Sequence, residues 1–97
     1  MQREASPRLR LFVAGRTEGS LQAQKSMVAL QAAVGAHRRI EIIDVLEHPD
    51  LAEAAGILAT PTLSYDHPTR PRRIIGDMSD TQRVLAFLGL DAEGDRR

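Results

Sequence analysis

The chain has no cysteine. That absence excludes disulfides, thiolate metal sites and thiol-based redox catalysis, and it suits a reducing compartment. Tryptophan is missing too, and the aromatic residues are limited to Phe12, Tyr65 and Phe87. With so few rings, base stacking on an aromatic platform is not expected. Neither sign of charge is in excess, because 13 basic and 13 acidic residues cancel. Bulk charge therefore suggests no polyanion partner, and no nucleic acid is expected. No apolar run approaches the roughly 18 residues of a membrane span. The first eight residues are polar and lack the apolar centre of a signal peptide. The expectation is a cytoplasmic protein with no membrane partner. At 97 residues the chain fits one domain, with a feasible but shallow core.

What is present reads as a sequence of short elements. Residues 1–8 are expected to form a flexible arm, 9–90 the folded domain and 91–97 a flexible charged tail. Leu-Arg-Leu-Phe-Val at 9–13 is a short strand, closed by Ala14 and Gly15. Ser20 is a plausible helix N-cap. Ala23, Met27, Leu30 and Val34 then recur at spacings of four, three and four, one face of an amphipathic helix that Gly35 can stop. Residues 40–45 are rich in β-branched side chains and form a second strand, parallel to the first. Pro49 suits a first helical turn, a short helix covers 51–55, and Gly56 ends it. Strands at 62–65 and 72–75 make a hairpin around a turn with two prolines, Pro68 and Pro71. Ser79 and Gln82 have capping-box spacing before the stripe Val84, Leu85, Leu88, and Gly89 can end that last helix. The order is β-α-β-α-β-β-α.

Thr60-Pro61-Thr62 stands directly before a buried-strand pattern. A cis peptide at Pro61 is one way to turn the chain sharply into a sheet there. With the element order, this points to an α/β single domain of the thioredoxin-like fold. In redox members of that fold the reactive thiol lies between the first strand and first helix, where the helix N-terminus lowers its pKa. The corresponding loop here, residues 15–20, holds hydroxyls and no thiol. A hydroxyl without an adjacent base is a poor nucleophile, and no histidine lies nearby in sequence. No enzyme activity and no cofactor are expected. Asp44 reads as a structural residue at a strand end, because no paired carboxylate or histidine accompanies it. His37, His48 and His67 fall on three separate loops and show no metal-ligand spacing.

Five sequence words then stand in order: residues 11–15 (LFVAG), 43–46 (IDVL), Pro49 with 51–53 (LAE), 57–63 (ILATPTL) and 74–80 (IIGDMSD). Together they resemble the KaiB family of circadian-clock proteins over about residues 9–88. The resemblance implies a non-enzymatic partner protein that binds the N-terminal ATPase ring of a KaiC-like protein in its thioredoxin-like state. It also implies competition with the thioredoxin-like sensor domain of a histidine kinase, and sequestration of a KaiA-like protein. The family is metamorphic: a second fold rearranges the C-terminal half to β-α-α-β and forms tetramers. Pro61, Pro68 and Pro71 are the prolines that such a rearrangement implicates.

Two departures from the family pattern stand out. After Arg83-Val84-Leu85, the place of a mid-segment glycine holds Phe87 and that of an aspartate holds Gly89. Loss of an interior glycine favours a helix by up to about 1 kcal/mol, less here because Phe is not a strong helix former. The thioredoxin-like state is therefore expected to be the major one. The second departure concerns docking. Glu41 stands where a basic residue is frequent on the second strand, and Gln22 where the first helix often has an arginine. Lys25, Arg72 and Arg73 remain as cationic candidates for partner contact. Plainer readings exist: Lys25 as a solvated charge, and Arg70, Arg72 and Arg73 as charges guarding an edge strand against aggregation. Two other functions also fit the residues. One is a degenerate thioredoxin- or glutaredoxin-like domain that binds a small thiol ligand. The other is a self-associating, stress-related scaffold.

Overall fold

A computed structural model describes residues 7–90. The boundaries expected within residues 1–6 and 91–97 lie outside the described residues. The elements are β1 (Leu9–Val13), α1 (Glu18–Val34), β2 (Ile40–Asp44), α2 (Pro49–Ala55), β3 (Thr62–Tyr65), β4 (Arg72–Ile75) and α3 (Thr81–Leu88). The second half runs α2-β3-β4-α3, so the chain has the thioredoxin-like arrangement. The sheet order is β2-β1-β3-β4. β1 pairs parallel to β2, with Leu11 opposite Ile42, and antiparallel to β3, with Leu11 opposite Leu63. β4 adds antiparallel to β3, with Leu63 opposite Ile74.

This register separates the side chains onto two faces, because successive residues of a strand point to opposite sides. Leu9, Leu11, Leu63, Tyr65, Ile40 and Ile74 share one face. They pack with Ala23, Met27, Leu30 and Val34 of α1 and with Val84, Leu85 and Leu88 of α3. The sequence stripe at 23, 27, 30 and 34 is thus the buried face of α1. The other face carries Arg10, Phe12, Ser64 and Arg73. Phe12 is fully buried there, and the Arg10 guanidinium lies 5.3 Å from its ring centroid. Arg10 also pairs with Asp66 at 3.0 Å, and Ser64 donates to the same carboxylate. This side of the sheet is closed partly by polar side chains.

Helix starts differ from the sequence expectation in two places. The N-cap of α1 is Thr17, whose hydroxyl accepts from the Ser20 N–H; Ser20 lies inside the helix and is fully buried. The N-cap of α3 is Asp80, which accepts from the Arg83 N–H at 3.2 Å. The spacing from Ser79 to Gln82 matches a capping box, but Asp80 stands one position closer to the helix. A carboxylate at that position complements the helix dipole as well as the free amides. α2 starts at Pro49, the proline expected in its first turn, and Val45 falls just outside β2 while still donating to Val13 O at 2.8 Å. The Thr60–Pro61 peptide is cis.

Candidate partner interface

The start of α1 holds hydroxyls and no thiol. The Ser20 Oγ accepts from the Ala14 N–H at 2.9 Å and from the Thr17 hydroxyl at 2.8 Å. It ties the end of β1 to the first turn of α1 and is buried. Asp44 braces the same loop from the other side: one carboxylate oxygen accepts from Gly15 N and Leu46 N. Gly15 has φ +61, a left-handed conformation that favours glycine; the 3.0 Å approach of a Cβ to Leu46 Cδ1 could be relieved, because the Leu46 side chain is exposed. A Cβ on Gly19 would sit 3.5 Å from Pro61 Cδ. The proline therefore faces the helix N-terminus across an ordinary van der Waals contact. Where a redox member would place a thiol, this chain places a hydroxyl and backbone already engaged with each other.

A groove of about 390 Å³ runs past that point, lined by Gly19, Gln22, Ala23, Ser26, Pro61 and residues 76–79. Asp77 lies on its rim. The Ser79 hydroxyl, then its backbone N–H, hold the Asp77 carboxyl below the ordinary value of 3.8. Among the described residues, no three His, Cys, Asp or Glu side chains converge as a metal site would require.

The five partner candidates fall into three places. Gln22 and Lys25 line one shallow depression with Arg16, Glu18 and Leu21. Glu41 lies on the edge strand β2, where it pairs with Arg8 at 2.8 Å. Arg72 and Arg73 lie on the opposite edge strand, β4, and the pleat sends them to opposite faces. Arg72 rests over the ring of Phe87, 5.8 Å from its centroid. Arg73 donates from both terminal nitrogens to the Ala55 and Gly56 carbonyls. The two arginines thus serve two helices, where the sequence suggested one basic edge. Of the residues tied to rearrangement, Pro68 and Pro71 are exposed on the β3–β4 loop. Phe87 is half-exposed in α3, and Gly89 is the left-handed C-cap of that helix at φ +79.

Two surface residues were not singled out by the sequence. Leu21 and Val28 are exposed on α1, and with Lys25 they follow one another at spacings of four and three. They form a second, outward stripe. The signal was present as apolar residues lying off the 23-27-30-34 face, but it is visible only once that face is known to be buried.

Fold and site together define a class: a thioredoxin-like module without the thiol, whose exposed surfaces are its functional candidates. A family model described as the KaiB domain matches residues 10–90, and the chain belongs to the KaiB family. It is 49% identical over 84 residues to the circadian clock oscillator protein KaiB of Parasynechococcus marenigrum (strain WH8102), covering 86% of this chain and 79% of that relative. Among solved structures it is similar to the N-terminal domain of Synechococcus elongatus SasA. The TM-score is 0.67 and the identity 26%, over 92% of this chain and 90% of that one. It also shares its fold with mitochondrial thioredoxin 3 of Saccharomyces cerevisiae, with a TM-score of 0.71 and 21% identity over 89% and 79% of the two chains.

Proposed function

We propose that this chain is a non-enzymatic regulatory module that docks, in its thioredoxin-like form, on the N-terminal ATPase ring of a KaiC-like protein. The observation that carries this reading is a KaiB-family sequence in the fold it shares with the SasA N-terminal domain, with no thiol at the start of α1. A protein already in the binding-competent fold binds without the affinity loss that a minor competent state imposes. Competition with a histidine-kinase sensor domain for the ring, and recruitment of a KaiA-like protein, belong to the same reading.

The outward stripe Leu21–Lys25–Val28 and the adjoining Gln22 are the docking surface in this proposal. It offers exposed apolar area on both sides of one cation. Glu41 weakens docking, because it places a carboxylate where the family frequently has a base, and Arg8 offsets that charge only in part. Titration against a KaiC-like ring tests both statements. Lys25→Glu and Val28→Ser are expected to lower affinity, and Glu41→Lys to raise it. Binding that is unchanged in all three variants would remove this surface, and absence of binding by the wild-type chain would remove the function.

The groove beside Pro61 favours a second reading, a site for a small thiol ligand. Glutathione added to the labelled protein distinguishes them. Shifts at Gly19, Gln22 and Gly76 support the second reading, and an unchanged spectrum removes it.

A further inference from the structure

α2 is the least anchored helix of the fold. It has seven residues and buries only Ala52, and His48 at its N-cap makes no side-chain hydrogen bond to it. An isolated helix of that length is not stable in water, so its position depends on contacts from elsewhere. Besides the packing of Ala52, one side-chain contact to it comes from Arg73. One terminal nitrogen donates to Gly56 O at 3.1 Å, and the other donates to Ala55 O. The last carbonyls of a helix have no intrahelical partner and carry the negative end of its dipole. A planar guanidinium can satisfy two of them together, which the ammonium of a lysine does less well.

The register makes the contact specific to this arginine. Arg73 is opposite Ser64 on β3, and Ser64 is opposite Arg10 on β1, so all three lie on the face that carries Phe12. Arg72, one residue earlier, lies on the other face over Phe87. Of these two arginines it is therefore Arg73 that joins the edge of the sheet to α2. The chain after α2 continues through Leu58, which is 97% exposed, to the turn at Pro61.

We propose that Arg73 is a latch that holds α2 on the Phe12 face of the sheet, and that its release lets residues 49–57 open while the α1–sheet–α3 core stays closed. The latch sets the placement of α2 and of the Leu58 segment that follows it. This rests on the fold and not on the identity of any partner.

Amide hydrogen exchange on the full chain, read residue by residue, tests it. The reporters are Gly56 and Ile57, whose amides donate to Glu53 O and Ala52 O. The controls are the amides of β1 and β3. Arg73→Gln is expected to speed exchange at the reporters by roughly tenfold, the scale of a charge-assisted hydrogen bond, with the controls unchanged. Arg72→Gln should leave the reporters as in the wild type. Arg73→Lys keeps the charge and provides the measurement if Arg73→Gln does not fold; it is expected to speed the reporters by about threefold, because it loses the two-carbonyl fork. Reporters unchanged in the variant measured would overturn the latch. So would exchange that rises equally in reporters and controls, or a response to Arg72→Gln equal to that of Arg73.

Discussion

Ser20 shows how much a single hydroxyl decides in this chain. It lies at the turn where a redox relative would hold its thiol, yet it has no free lone pair to offer a substrate. Both contacts it makes are internal, to Ala14 and Thr17. Ser20→Ala is therefore expected to destabilise the fold by about 1–3 kcal/mol, because the Ala14 amide loses its buried acceptor. Urea unfolding followed by circular dichroism measures it, and a loss near zero would mean that water replaces the hydroxyl. Glu41 belongs to the same scale. Its pairing with Arg8 is between two well-exposed groups and contributes little to stability, so the charge matters to whatever approaches that edge. Arg70 is placed beside Gly89, with its guanidinium 3.4 Å from where a Cβ would be.

At the scale of elements, α3 is the informative case. Its start is set by Asp80, and the preceding turn by Asp77, which accepts from the Ser79 N–H at 3.0 Å. Asp80→Ala is expected to cost about 0.5–2 kcal/mol, the range of a lost N-cap, and Ser79→Ala less. Equal losses in a thermal-melt comparison would restore the capping-box assignment. The Asp77 carboxyl titrates below the ordinary 3.8, so its contribution is fully present above that value and is lost as pH falls through the lower folded value. A carboxyl-carbon NMR titration is expected to show this low midpoint, and Ser79→Ala to move it back towards 3.8. A midpoint indifferent to that substitution would assign the shift to some other cause. Phe87 also sits in this helix, half-exposed under Arg72. A glycine in its place would remove both the ring contact and the helix preference.

For the molecule as a whole, one continuous core joins α1, the sheet and α3. Leu63 lies at its centre, fully buried and cross-strand from Leu11 and Ile74. Leu63→Ala is expected to destabilise by about 2–5 kcal/mol. Far-ultraviolet dichroism and Tyr65 fluorescence should shift together, because both report one cooperative unit. Transitions that separate would show that this core is divided. The polar face around Arg10 and Asp66 and the small helix α2 lie outside that core, while partner recognition is proposed on the outward stripe of α1.

Much of this was legible in the chain itself. Periodicity at 23, 27, 30 and 34 named the buried face of α1, since a helix must bury whatever stripe recurs with its own turn. The lack of cysteine excluded thiol chemistry, because no neighbouring residue can supply a thiolate. The ordered words from Leu11 to Asp80 carried the KaiB resemblance, and the family match confirmed it. Local pattern could not decide which of several neighbouring polar residues caps a helix. Thr17 against Ser20, and Asp80 against Ser79, are choices made by backbone geometry within one turn. Nor could it tell that Arg72 and Arg73 serve different helices. Adjacent strand residues point to opposite faces, but only the three-dimensional packing determines what waits on each: Phe87 on one, and the open end of α2 on the other.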